Sequence, residues 1–124
     1  MVWLLLALAL VLPAQAADNF TSAYISEFVV DNRHGLKDDD GDRSGWIELH
    51  NGGRATVNLS GWFLTDDPNN PAKWRFPGVA LLPDKHMVIF ASGKNRTNIL
   101  AHLHTNFRLR TPGLMMFWEP RTIS

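Results

Sequence analysis

The stretch KDDDGDRSGWIELHN, residues 37–51, joins two kinds of sequence. Its first half is charged and rich in turn formers, and its second half alternates between apolar and polar residues. Successive side chains of a strand point to opposite faces, so Ile47 and Leu49 share one face and the polar side chains share the other. The alternation predicts a strand over Trp46–His50 with one face against a core. The acidic half predicts a solvated loop that introduces this strand.

Short apolar runs of the same kind recur along the chain, separated by Gly, Pro, Asn and Asp. No long segment keeps the apolar period of 3.6 residues that marks an amphipathic helix, and only the stretch 94–101 is compatible with one. This pattern is typical of an all-β sandwich or barrel. The further predicted strands are Tyr24–Val30, Thr56–Leu59, Trp62–Thr65, Trp74–Phe76, Met87–Ala91, Leu103–Leu109 and Leu114–Trp118.

The N-terminal stretch MVWLLLALALVLPAQA, residues 1–16, is apolar and ends in small residues. It predicts a signal peptide cleaved after Ala16, although no Lys or Arg precedes the apolar run. The run is shorter than the roughly 20 apolar residues that a membrane span needs. We therefore expect an exported protein that is secreted, periplasmic or on the cell surface. The remaining residues are enough for one domain.

The composition excludes several kinds of chemistry. The chain of 124 residues has no Cys, which removes thiol catalysis and cysteine-based zinc sites. Five Trp and seven Phe provide the apolar surface for a core held together by packing alone. The net charge is zero, and no concentrated basic run is present. Nucleic acid is therefore not an expected partner.

The acidic run contains one candidate metal site. Asp38, Asp40 and Asp42 alternate, so a loop can direct three carboxylates at one hard cation such as Ca²⁺. The spacing departs from the EF-hand, because Arg43 and Leu49 occupy the sixth and twelfth positions counted from Asp38. A catalytic role for these carboxylates is disfavoured, since nothing in a solvated loop would shift their pKa values. A solvated loop is the preferred interpretation and a calcium loop is the alternative.

Two other groups of polar residues are candidates for binding. Asp66, Asp67 and Asn69 lie in the Pro-containing segment DDPNNPAKW, which predicts an exposed loop between strands, where binding residues concentrate. His102 and His104 are two residues apart on a predicted strand and share a face, so they are a possible pair of metal ligands. The alternative for the histidines is a solvated polar face.

Four segments, in order, resemble the lamin tail domain family in the form found at the start of bacterial secreted proteins. They are YISEFVVDN at 24–32, DDDGDRSGWIELHN at 38–51, NLSGWFLTDDPNNPAKWRFP at 58–77, and MVIFASGK at 87–94 followed by LHTNFRL at 103–109. The resemblance implies an all-β, immunoglobulin-like antiparallel β-sandwich over residues 23–118, with a short segment 17–22 before it and a tail 119–124 after it. It leaves open whether the last strand of the sandwich is missing. It offers no catalytic residues.

The expected function is that of an exported, non-enzymatic binding or structural module. The sequence predicts that the chain is the N-terminal part or a truncated remnant of a larger secreted or cell-surface protein, with a protein or a cell-surface polymer as partner. One alternative is a calcium-dependent adhesion module that uses the Asp38–Asp42 loop. The other is an accessory domain of a secreted hydrolase. No cofactor is expected apart from the Ca²⁺ of the first alternative.

Overall fold

A computed structural model describes residues 22–110 and 115–120. Within these ranges the chain forms nine short strands and no helix, so the all-β prediction is confirmed. Nowhere in them is there a helix with the length and apolarity needed to cross a bilayer. The strands are β1 (Ala23–Val29), β2 (Gly45–Asn51), β3 (Val57–Asn58), β4 (Phe63–Thr65), β5 (Trp74–Arg75), β6 (Ala80–Leu81), β7 (His86–Ala91), β8 (Leu103–His104) and β9 (Met116–Trp118).

The strands form two main layers and one small sheet. The larger layer has the strand order β1-β2-β7-β8 and the smaller has the order β5-β4-β9, while β3 and β6 pair with each other. All described strand pairs are antiparallel except β7 and β8, which run parallel. The antiparallel sandwich prediction therefore holds with one exception. Residues 1–21, 111–114 and 121–124, which include the predicted leader, lie outside the described residues.

The core lies between the two main layers. Ile47 and Leu49 of β2 are completely buried, as their alternation predicts. On the side of the smaller layer, Trp62 and Trp74 are each only 3% exposed, so both belong to the core. The ring of Phe117 in β9 packs on Trp62 with centroids 4.6 Å apart. Burial of such large aromatic side chains is the main favourable term available to a chain without disulfides.

Asn51, the last residue of β2, is completely buried and fully hydrogen-bonded. Its Nδ2 donates to the carbonyl oxygens of Ala55 at 2.8 Å and Leu81 at 2.9 Å. Its Oδ1 accepts from the Ser22 hydroxyl at 2.6 Å and from the Gly53 backbone N–H at 3.0 Å. These four bonds use both donors and both lone pairs of the amide. One side chain thus joins the segment before β1, the turn after β2, and β6.

The segment 94–101 is not helical, contrary to its predicted compatibility with a helix. Gly93 and Asn95 have positive φ angles of 77° and 52°, which stop a right-handed helix from starting there. Arg96 instead exchanges backbone hydrogen bonds with His104, at 3.0 and 2.9 Å. The backbone of this segment is therefore partly satisfied by pairing beside β8 rather than by helical bonds.

The predicted strand over residues 103–109 is also shorter than expected, because only β8 keeps regular pairing there. After β8, the Thr105 hydroxyl donates to the Phe107 carbonyl oxygen at 2.7 Å, and this local bond bends the chain. Beyond the pairing of Arg96 with His104, single backbone bonds from Gly93 to Phe107 and from Asn95 to Thr105 and an isolated bridge between Ser92 and Arg108 hold this segment. The alternation of apolar residues there reflects a bent segment that packs on the core, not one long strand.

Candidate functional site

The acidic loop before β2 does bring Asp38, Asp40 and Asp42 together. One carboxylate oxygen from each lies within 4.8 Å of the others. The loop owes this shape to Asp38, whose Oδ1 accepts the backbone N–H groups of Asp40 and Asp42, both at 2.9 Å. Gly41, with φ of 81°, supplies the left-handed residue that the tight turn requires.

The cation among these carboxylates is the ammonium of Lys94. Its Nζ lies 2.5 Å from Asp38, 2.7 Å from Asp40 and 2.9 Å from Asp42. The Asp38 side chain is 0% exposed, so the prediction of a loop whose carboxylates are all solvated is wrong for this residue. A buried carboxylate needs a charged or hydrogen-bonding partner, and Lys94 provides both. Binding of Ca²⁺ by these carboxylates stays a prediction.

The electrostatics of this ion cluster favour the charged forms. Burial raises the pKa of Asp38, but hydrogen bonds from Lys94 and from the backbone outweigh it and hold the pKa below its ordinary value. The hydrogen bond from Arg96, reinforced by Lys94, keeps the pKa of Asp40 far below its ordinary value. The carboxylate of Asp38, followed by that of Asp40, raises the pKa of Lys94. Asp38, Asp40 and Lys94 therefore stay ionised at neutral pH.

His102 and His104 do not form a pair of metal ligands in this arrangement. The Nδ1 of His102 lies 2.7 Å from Asp39, while the Nδ1 of His104 lies 2.8 Å from the Ser92 hydroxyl. His104 is completely buried beside the ring of Phe90, so a solvated polar face is wrong for this residue. Its Nε2 is buried and has no hydrogen-bond partner among the described residues. Burial lowers the pKa of His104, so the neutral ring is favoured.

We expect acid to destabilise the fold in two stages. Below about pH 6.5 the unfolded chain protonates His104, whereas the folded chain resists doing so, and stability falls. Below about pH 4 the unfolded chain protonates Asp38, while the folded carboxylate stays ionised, and a second loss follows. Urea unfolding of the wild type and of His104→Asn, between pH 3 and 8, measures both stages. The difference in unfolding free energy between the wild type and His104→Asn should change between pH 7 and pH 5. A difference that stays constant over this range would contradict the assignment of the first stage to His104.

The predicted binding residues after β4 lie in one loop but have different surroundings. Asp66 is half-buried and pairs with Lys73, with Oδ1 and Nζ 2.8 Å apart. Asp67 supports the loop itself, because its Oδ1 accepts the backbone N–H of Asn69 at 2.9 Å. Asn69 is exposed. The Thr65 hydroxyl further closes the loop by donating to the carbonyl oxygen of Asn70 at 2.8 Å. The binding role of the three predicted residues stays a prediction.

Asp66 also lines a pocket of about 500 Å³, located where β1 of the larger layer meets the segments that precede β5 and β9. Small-ligand sites usually enclose roughly 300–1,000 Å³, so the pocket is large enough for a ligand. Its apolar wall includes Phe28, which is 39% exposed, and the half-buried Leu109. The exposed cations Arg108 and Arg110 also line it. Nothing in the sequence around these arginines marks a pocket, so they are not among the predicted binding residues.

A second polar cluster lies on the outer face of β2. The rings of His50 and His86 stack with centroids 4.1 Å apart, and the hydroxyl of Tyr24 lies 2.8 Å from Nδ1 of His50. Glu48 accepts from Ser26 at 2.6 Å and lies 3.0 Å from Nδ1 of His86. The hydrogen bond from Ser26 lowers the pKa of Glu48, and this effect outweighs burial. Cross-strand contacts of this kind stabilise a sheet.

Two β layers around a common aromatic core, with polar loops at their ends, define an immunoglobulin-like β-sandwich module. The chain belongs to the lamin tail domain family, because the sequence model described as Lamin Tail Domain matches residues 17–115, well over half of the chain. This is a non-enzymatic family of immunoglobulin-like modules. Comparisons with curated proteins and with solved structures found no match. The resemblance noted in the sequence is confirmed.

Proposed function

We propose that this protein is exported and acts as a non-enzymatic binding module, with a protein or a cell-surface polymer as its partner. The observation that carries the proposal is the match to the lamin tail domain family over residues 17–115. The pocket beside Asp66 supports it, since a sandwich module binds through loops and clefts held by a rigid scaffold. The leader-like residues 1–16 support export.

Expression of the whole chain with its own N-terminus in a bacterial host tests the export half of this proposal. We expect the protein outside the cytoplasm, with a mature N-terminus at Ala17 as measured by intact mass. Leu6→Arg is the control, because a charge in the middle of the apolar run should block export without touching the domain. A wild-type chain that stays in the cytoplasm at full length would overturn export.

A calcium-dependent module is a second candidate, because Asp38, Asp40 and Asp42 converge as a calcium loop would require. The position of the Lys94 ammonium argues for the calcium-independent form, since it already supplies a positive charge at 2.5–2.9 Å from the three carboxylates. The proposal of a binding module therefore does not depend on a metal ion.

A further inference from the structure

The pocket beside Asp66 combines apolar walls with positive charge at its rim. Phe28 projects from the edge of the larger layer, and Leu109 and Met115 are half-buried. Arg108 and Arg110 are both exposed on either side of Leu109. A ligand that satisfies both features must carry an apolar group and negative charge.

The charge at the pocket is not neutralised from within the described part of the chain. Lys73 pairs with Asp66 at 2.8 Å and also lies over the ring of Phe107, 5.0 Å from its centroid. Neither Arg108 nor Arg110 has a carboxylate within 4.0 Å among the described residues. Two guanidinium groups in a pocket with a partly apolar wall thus remain available to acidic groups of a ligand.

The spacing of the two arginines favours an extended polypeptide over a small anion. They lie two residues apart in the chain, on either side of the apolar Leu109, so two separate acidic groups that flank an apolar group would match them. Acidic residues at alternate positions of a bound peptide have the same spacing. The residue between them then faces the apolar wall formed by Phe28, Leu109 and Met115.

We propose that this pocket binds an extended acidic peptide segment, with two carboxylates on Arg108 and Arg110 and an apolar side chain between the two β layers. The inference rests on the proposed function as a binding module and names the chemistry of its partner. Arg108 and Arg110 hold the carboxylates, and Phe28 contacts the apolar side chain. Asp66 pairs with Lys73 at the rim of the pocket, so the Lys73 ammonium is already neutralised and the ligand does not have to pair with it.

The test uses blocked tripeptides and the folded protein, with binding followed by amide chemical shifts in NMR titrations. The probe is acetyl-Glu-Phe-Glu-amide. Its Gln-Phe-Gln analogue lacks the charges, and its Glu-Ala-Glu analogue lacks the apolar ring. We expect only the probe to shift the amides of Phe28, Arg108 and Leu109 at millimolar concentration. Added salt should weaken its binding.

Two matched double variants distinguish binding at the pocket from a general effect of the protein's net charge. The double variant Arg108→Gln with Arg110→Gln should bind the probe about tenfold more weakly, as expected for the loss of charge-assisted hydrogen bonds. Arg54→Gln with Lys85→Gln removes the same charge from exposed positions outside the pocket lining and should leave binding unchanged. Both variants should keep the wild-type NMR dispersion.

Three outcomes would overturn the inference. They are the absence of shifts with the probe, equal weakening by both double variants, and equal shifts with inorganic phosphate or with the Glu-Ala-Glu analogue. Each would leave the export result intact. Conversely, a chain that stays in the cytoplasm would remove the export part of the proposed function without changing what the peptide titration reports.

Discussion

Asn51→Asp is expected to destabilise the protein strongly at 25 °C and neutral pH. The two carbonyl oxygens that now accept from Nδ2, those of Ala55 and Leu81, would face a carboxylate oxygen instead of a donor. The site is completely buried, so water cannot compensate the added charge. Losing two hydrogen bonds and burying an unpaired charge costs roughly 3–5 kcal/mol, a large part of the roughly 5–15 kcal/mol by which a typical domain is stable.

Urea unfolding followed by tryptophan fluorescence measures this loss, and Asn58→Asp is the matched control. Asn58 is exposed, and among the described residues only its Oδ1 has a hydrogen-bond partner, the backbone N–H of Ser60 at 3.0 Å. An aspartate keeps that acceptor, so the change should stay within about 0.5 kcal/mol. Equal destabilisation by the two substitutions would contradict the role assigned to the buried amide donors of Asn51.

Lys94→Met is expected to lower the free energy of unfolding by roughly 3 kcal/mol at pH 7. Asp38 would stay buried with hydrogen bonds from the backbone N–H groups of Asp40 and Asp42 but without its cation. The expected loss is at the lower end for a broken buried pair, because the Lys94 side chain is 19% exposed and water can enter. The measurement is urea unfolding, with Lys85→Met as the control at an exposed position.

A double-mutant cycle with Asp38→Asn separates the ion pair from the packing of the Lys94 side chain. An asparagine keeps an oxygen that can accept from the backbone, and it carries no charge that needs a partner. The double variant Asp38→Asn with Lys94→Met should therefore lose less stability than the two single variants added together. Additive losses would mean that the buried charge of Asp38 is not the reason for the effect.

The Lys94→Met variant also tests whether a lysine or a metal ion is the cation that the acidic loop binds. The melting temperature of the wild type should be the same in calcium and in EDTA, because Lys94 already lies among the three carboxylates. In Lys94→Met the carboxylates lack that charge, and millimolar Ca²⁺ should raise the melting temperature by mass action. A calcium-dependent midpoint in the wild type would instead support the calcium-dependent module.

The parts of the fold that sequence reasoning predicted are those with a local signal. The strand predicted from the alternation around Ile47 and Leu49 is confirmed, since β2 lies between β1 and β7 and has one face on the core. The two-residue strand β6 was not predicted, since so short a pairing leaves no periodic pattern. The burial of His104 also went unpredicted. It depends on β8 lying parallel to β7, which alternation along the chain does not reveal.

The candidate sites were harder to predict because their partners are distant in sequence. Asp38 and Lys94 are 56 residues apart, so the composition of the acidic loop shows its charge but not the lysine that neutralises it. The resemblance to the family located the fold without locating these contacts. The pocket was hard to predict for the same reason, because its lining residues are also distant in sequence. Phe28 in β1 and Arg108 after β8 come together only in the folded chain, and neither is unusual in its own stretch of sequence.

The contact of Phe117 with Trp62 has a consequence for the order in which the chain folds during synthesis. The ring that packs on Trp62 belongs to β9, the last strand among the described residues, so a nascent chain that has emerged only as far as residue 110 still lacks this contact. Final closure must wait until the ribosome has released that strand. Until then, the aromatic surface that β9 covers stays available to chaperones.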